Sequence, residues 1–322
     1  MNLRADAILA PAKPLDPAKF RDPAATAKGE PRASVALERL ETLWFNTGTL
    51  CNIECSHCYI ESGPKNDRLA YLSVAEVEAY LDEIAALGWA TSEIAFTGGE
   101  PFMNRDILPM LGAALSRGFA VLVLTNAMQP MRRFEADLAE LAGTYRESLT
   151  LRVSLDHYAQ AIHDGERGAG TWAKTVAGIG WLATHGIRTT LAARHLTGES
   201  EEELRTGFAR LIAAHGWRID ADNPAELVIF PEMDANTDVA EITTACWGIL
   251  GKSPSEVMCS SSRMVVKRKG AMRPTVLSCT LLPYDQQFEL GATLAEANRP
   301  VALNHPHCAT FCVLGGASCS AK

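Results

Sequence analysis

Short apolar, β-rich stretches alternate with longer amphipathic ones between about residues 42 and 230. The alternation predicts strands at 42–46, 93–97, 120–125, 150–155, 188–193 and 226–230. Helix signals fall between them. Ser73-Val-Ala-Glu76 is a capping box opening a helix that ends near Gly88, and Ser200-Glu-Glu-Glu203 opens another. Strand and helix in series, six times over, imply an α/β fold with a parallel sheet and right-handed crossovers. The pattern leaves open whether that sheet is doubly wound or a partial barrel. Beyond residue 230 the alternation stops. Residues 262–278 read as a β-hairpin turning at Lys267-Arg-Lys-Gly270, and the tail from Thr280 has too little periodicity to fold without an anchor.

With 322 residues, 47% hydrophobic and 21% charged, the chain affords one large core with an appendage. No run of about 18 apolar residues predicts a membrane span. Thirty Lys and Arg against 38 Asp and Glu give a net charge of −8, which argues against a broad nucleic-acid footprint and for a small molecule or peptide as substrate. The Ala- and Pro-rich first 38 residues lack the order of a signal peptide and read as a partly extended arm on a cytoplasmic protein. In such a reducing compartment, grouped cysteines ligate metals or do redox chemistry more often than they form disulfides. The nine cysteines fall in two groups: Cys51, Cys55 and Cys58, then Cys246, Cys259, Cys279, Cys308, Cys312 and Cys319.

The first group follows the first strand, in the loop where α/β sheets and barrels carry their sites. Three thiolates so close can converge on one metal centre. On a cubane they leave one iron without a protein ligand, whereas a zinc knuckle would be completed by His57. Cys51-Asn-Ile-Glu-Cys55-Ser-His-Cys58-Tyr59 resembles the signature of the radical S-adenosylmethionine (SAM) superfamily, and Phe96-Thr-Gly-Gly-Glu100-Pro101 resembles its Gly-Gly-Glu motif. The resemblance covers about residues 42 to 230 and implies a partial (β/α)6 barrel at 39–235.

It also implies a 4Fe-4S cluster on Cys51, Cys55 and Cys58, with SAM chelating the fourth iron. His57 and Tyr59 would lie near the adenine. Gly98 and Gly99 would let the backbone approach the bound methionine, and Glu100 or its adjoining carbonyls would accept from the SAM ammonium. Thr125-Asn126, where relatives show Thr-Asn-Gly but this chain has Ala127, would touch SAM. Val153-Ser154-Leu155-Asp156 with His163-Asp164-Gly-Glu-Arg167-Gly168 resembles a further family pattern, in which Ser154 reaches the ribose or carboxylate and Arg167 pairs with the carboxylate. Arg194 is a second candidate for that partner, and Asp156, His157 and Glu232 are candidate bases.

The implied chemistry is reductive cleavage of SAM to a 5′-deoxyadenosyl radical that abstracts hydrogen from an organic substrate, with an electron donor such as flavodoxin or ferredoxin. Cys259, the hairpin Gly270 and Cys279 resemble the opening of twitch and SPASM extensions, which carry auxiliary iron-sulfur clusters. That resemblance implies a second 4Fe-4S cluster in residues 236–322, on Cys259, Cys279, Cys308 and Cys312 with Cys319 as a substitute, and leaves Cys246 a small hydrophobe. The short arm favours a small metabolite or cofactor precursor over a ribosomally made peptide as substrate. A non-catalytic metal protein and an RNA-modifying enzyme are the alternatives.

Overall fold

In the computed structural model, residues 13–316 are described; Cys319 lies outside them. Six strands form as the pattern predicts, with end shifts of one residue: β2 (Thr42–Asn46), β3 (Glu93–Thr97), β4 (Ala120–Thr125), β5 (Leu149–Ser154), β6 (Arg188–Arg194) and β7 (Leu227–Phe230), preceded by the short β1 (Ser34–Val35). The chain then adds β8 (Ser262–Val266), β9 (Thr275–Leu277), β10 (Glu289–Gly291) and β11 (Val301–Ala302).

One nine-stranded sheet runs β10-β9-β8-β2-β3-β4-β5-β6-β7. Within it β2 to β7 are parallel and stand in chain order. A doubly wound sheet would reverse its order at a switch point; the unreversed order is that of a partial (β/α)6 barrel, and it settles the choice the pattern left open. Every strand is therefore left at the same end of the sheet. Helices cover its outer face: α1 (Val74–Leu87) buries Val77, Tyr80, Leu81 and Ile84, and its capping box of Ser73 and Glu76 and its left-handed Gly88 are as predicted.

The hairpin does not stand apart. β8 pairs in parallel with β2, and β9 and β10 extend the same sheet antiparallel. Its link, residues 267–274, is longer than the turn expected, because Arg68 accepts from Lys269 N and Leu69 bridges to Arg268, drawing the tip back over the loop after β2. Three cations of that link are paired, Lys267 with Glu76, Arg268 with Glu289 and Lys269 with Asp67.

Residues 13–38, expected as an arm, are laid across the C-terminal region. β1 pairs with β11. Leu15 N donates to the Asn236 carbonyl at 2.6 Å, Lys19 holds Asp238 at 2.7 Å, and buried Arg32 holds Glu241 at 2.5 Å. The arm thus fixes the segment after β7.

Helix α2 (Thr171–Thr184) sets the loop after β4. A Cβ on Gly178 would lie 1.9 Å from the Ala127 carbonyl oxygen, whereas one on Gly180 would meet nothing within 4 Å. Gly178→Ala is expected to destabilise the protein by about 2–3 kcal/mol through overpacking, and Gly180→Ala to stabilise it by up to about 1 kcal/mol through helix propensity. Urea unfolding of the two variants checks both signs.

Candidate active site

The C-terminal ends of β2 to β7 and the loops that follow line a cavity of about 450 Å³, a size typical of small-molecule sites. Cys51, Cys55, Cys58, His57, Tyr59, Gly98, Gly99, Asn126, Ser154, Arg167 and Arg194 all reach it. Residues proposed for one site from separate stretches of sequence therefore line one cavity, Glu100 excepted.

The cysteine loop is fixed by its backbone. Cys51 N donates to the Gly63 carbonyl at 3.1 Å and Ser62 N to Cys58 Sγ at 3.3 Å. Burial pushes the Cys51 thiol up to about 12 and the Cys55 thiol up to about 11, the Arg167 cation pulling Cys55 partly back. Loading metal on these thiols must release their protons. Among the described residues no three His, Cys, Asp or Glu side chains are arranged to hold a single metal ion, and His57 Nδ1 stands 2.8 Å from Glu166 Oε2. Three thiols on one half-apolar cavity, with a backbone N–H already on one sulfur, are a donor set that fits an iron-sulfur cluster.

Gly98 and Gly99 also meet a need within the protein itself. A Cβ on Gly98 would lie 2.5 Å from the Gly48 carbonyl, and one on Gly99 would lie 2.2 Å from the Leu50 carbonyl. The backbone that must come close is that of the cysteine loop itself, which accepts from Gly99 N and Glu100 N. Glu100 also departs from expectation: its carboxylate is buried outside the cavity lining and accepts from Phe102 N, Thr125 Oγ1 and Asn126 N at 2.8–3.2 Å. It joins the end of β3 to the end of β4. Of the two acceptors foreseen for an ammonium group, only the neighbouring backbone remains.

Residues 163–168 bracket the site. His163 Nδ1 accepts from Asp156 N, Asp164 accepts from Gly170 N and Trp172 N, and Arg167 grips Asp156 through Nε and Nη2 at 2.6 and 2.7 Å. The Arg167 fork expected to hold a carboxylate ligand already holds Asp156. Glu166, which the sequence reading passed over between the histidine and the arginine, accepts from His57 N at 2.9 Å and from Arg194 Nη1 at 2.6 Å. Arg194 in turn chelates both Glu232 oxygens.

None of the candidate bases reaches the cavity. Asp156 is bound by Arg167 and Glu232 by Arg194. His157 is fully buried: its Nδ1 accepts from Ala159 N, which makes Nε2 the donor to Glu199 at 2.9 Å. The titratable side chains on the far wall are instead Asp234 and His307, beside Phe230, Met233 and Phe311.

Cys259, Cys279, Cys308 and Cys312 line a second, smaller pocket, walled by Val257, Met258, Phe288 and Leu303. Burial pushes the Cys308 thiol well above its ordinary range, with Cys279 and Cys259 close enough to add to the effect. Cys246 lies apart, its sulfur accepting from Thr243 N.

A family model described as the radical SAM superfamily matches residues 45–208. The chain is 34% identical over 143 residues to the antilisterial bacteriocin subtilosin biosynthesis protein AlbA of Bacillus subtilis, covering 44% of this chain and 30% of that one. It is 30% identical over 115 residues to the Fe-coproporphyrin III synthase of Methanosarcina barkeri, covering 35% and 26%. The chain thus spans less than a third of the length of these two curated relatives. Among solved structures, Streptococcus suis SuiB bound to S-adenosylmethionine superposes with a TM-score of 0.57 at 14% identity, over 79% of this chain and 64% of that one, a likeness of fold.

Burial raises the Glu100 carboxyl to about 7 against the pull of its hydrogen bonds. A folded-state value above the unfolded one is a stabilising contribution present at low pH and lost as pH rises through the folded value. The metal-free protein should therefore lose about 3 kcal/mol through this group between pH 4.5 and 7. Unfolding free energies measured across that range should favour Glu100→Gln over the wild type progressively as pH rises.

Proposed function

The chain belongs to the radical SAM superfamily, and from that premise we propose that it is an enzyme that starts catalysis by cleaving SAM reductively and abstracting a hydrogen atom from an organic substrate. The observation that carries this reading is the convergence of Cys51, Cys55 and Cys58 on the cavity that Gly98, Gly99, Asn126 and Ser154 also line. When bound, a 4Fe-4S cluster and SAM supply the one-electron chemistry that yields a 5′-deoxyadenosyl radical.

The chain's own part is binding, orientation and shielding. Cys51, Cys55 and Cys58 hold the cluster as thiolates, a state the Arg167 charge favours at Cys55. The strand-end backbone around Gly98 and Gly99 receives the SAM ammonium, and His57 and Tyr59 flank the adenine. Ser154 takes the ribose or carboxylate, with Arg194 rather than Arg167 the closer match for the charged partner, since one of its contacts is to the exposed Glu232. Phe230, Met233 and Phe311 keep water from the reacting centre.

The four C-terminal cysteines hold an auxiliary 4Fe-4S cluster, which the shared pocket of their thiols supports. No described helix is long and apolar enough to cross a membrane, and a cytoplasmic setting with a flavodoxin- or ferredoxin-type donor fits the oxygen-sensitive chemistry. The substrate is a small metabolite or cofactor precursor. A second reading, a peptide, is favoured by the higher identity to a bacteriocin biosynthesis protein.

Anaerobically reconstituted protein, reduced in the presence of SAM, is expected to release 5′-deoxyadenosine. Cys55→Ala should abolish release and lower the iron content by about four per chain, while Cys246→Ala should do neither. A fully loaded wild type that releases none would contradict the reading. Loss of a hydrogen from a candidate peptide, read by mass spectrometry, would decide for the second substrate class.

A further inference from the structure

Two buried polar side chains on the C-terminal cysteine pocket lack hydrogen-bond partners, and a buried cation stands near them. Ser278 is 1% exposed and lines the pocket next to Cys279, and its hydroxyl oxygen has no hydrogen-bond partner among the described residues. His307, next to Cys308, lines the same pocket, and its buried Nδ1 is likewise without one. Buried donors and acceptors in native proteins are almost always satisfied, so two orphans on one small pocket point to a ligand that accepts. Arg263, on β8, is 1% exposed and donates to the carbonyls of Cys259, Ser262, Ala297 and Arg299 at 2.6–3.2 Å. Among the described residues no carboxylate forms an ion pair with it, and it touches the buried Cys259 through that residue's carbonyl. A buried cation without a carboxylate calls for negative charge nearby.

A cluster on four thiolates supplies both needs, sulfur acceptors and net negative charge. We propose that Ser278 and His307 donate hydrogen bonds to the sulfurs of the auxiliary cluster, that Arg263 balances its charge through Cys259, and that together they raise its reduction potential. Hydrogen bonds and positive charge around a cluster favour its more negative, reduced state. His307 also lines the main cavity, which with Leu281 it shares with the cysteine pocket. These are positioning residues, and the inference rests on the reading of Cys259, Cys279, Cys308 and Cys312 as ligands.

The test uses the full chain with Cys51, Cys55 and Cys58 replaced by Ala, reconstituted anaerobically and titrated redox-wise with EPR detection. About four irons per chain establish the auxiliary cluster; their absence in a folded protein overturns both the ligand reading and this inference. With the irons present, Ser278→Ala and His307→Leu are each expected to shift the reduction equilibrium about tenfold toward the oxidised state, 59 mV for a one-electron couple. Arg263→Gln shifts it the same way, and His307→Gln, which keeps a donor, restores most of the parent value. Equal iron content in all variants shows that the site is intact. Unmoved potentials in Ser278→Ala and His307→Leu at full iron content would overturn the inference while leaving the cluster reading standing.

Discussion

The carboxylate of Glu166 is the tie on which the candidate site depends. It accepts from the backbone N–H of His57, lies 2.8 Å from that residue's Nδ1, and receives Arg194 at 2.6 Å, while its own carbonyl accepts from Ser56 N. The cysteine loop follows β2, Glu166 sits on the helix after β5, and Arg194 ends β6. One buried carboxylate therefore closes the loop across the mouth of the sheet, and with Arg167 on Asp156 beside it the arrangement is charge-balanced and hydrogen-bonded, the condition under which buried ions are tolerable.

That tie is workable because the sheet delivers its strand ends to one side. In chain order and all parallel, β2 to β7 bring the loop cysteines, Gly98, Asn126, Ser154 and Arg194 to a single rim. On the opposite flank of the loop, Gly98 and Gly99 admit the backbone of residues 48–50 at distances no side chain would allow. The loop is thus clamped between a glycine pair at the end of β3 and an acid on the helix after β5.

Much of this was legible in the sequence. Period and caps located six strands within a residue of their ends, because parallel core strands are buried on both faces and read as apolar runs. Cysteine spacing picked out three of the residues that share the cavity, and the family resemblance the others. What remained hidden was how polar groups pair. Glu100, His157 and Arg167 are chemically able to meet a ligand or a neighbour, and the neighbour that holds each lies 25, 42 and 11 residues away in sequence. Glu166 stands between His163 and Arg167 yet has no local signal of its own. The union of β8–β10 with the main sheet was equally invisible, since strand pairing across some 200 residues leaves no local pattern.

The proposed reading puts SAM and a cluster together in the main cavity, on Cys51, Cys55 and Cys58, and a separate cluster on the C-terminal cysteines. The most direct measurement is the EPR spectrum of the reduced, fully reconstituted protein with and without SAM. The account predicts that SAM perturbs one cluster signal, the one lost in Cys55→Ala, and leaves a second unchanged. A spectrum indifferent to SAM at full iron loading, or a perturbation that survives Cys55→Ala, would contradict it.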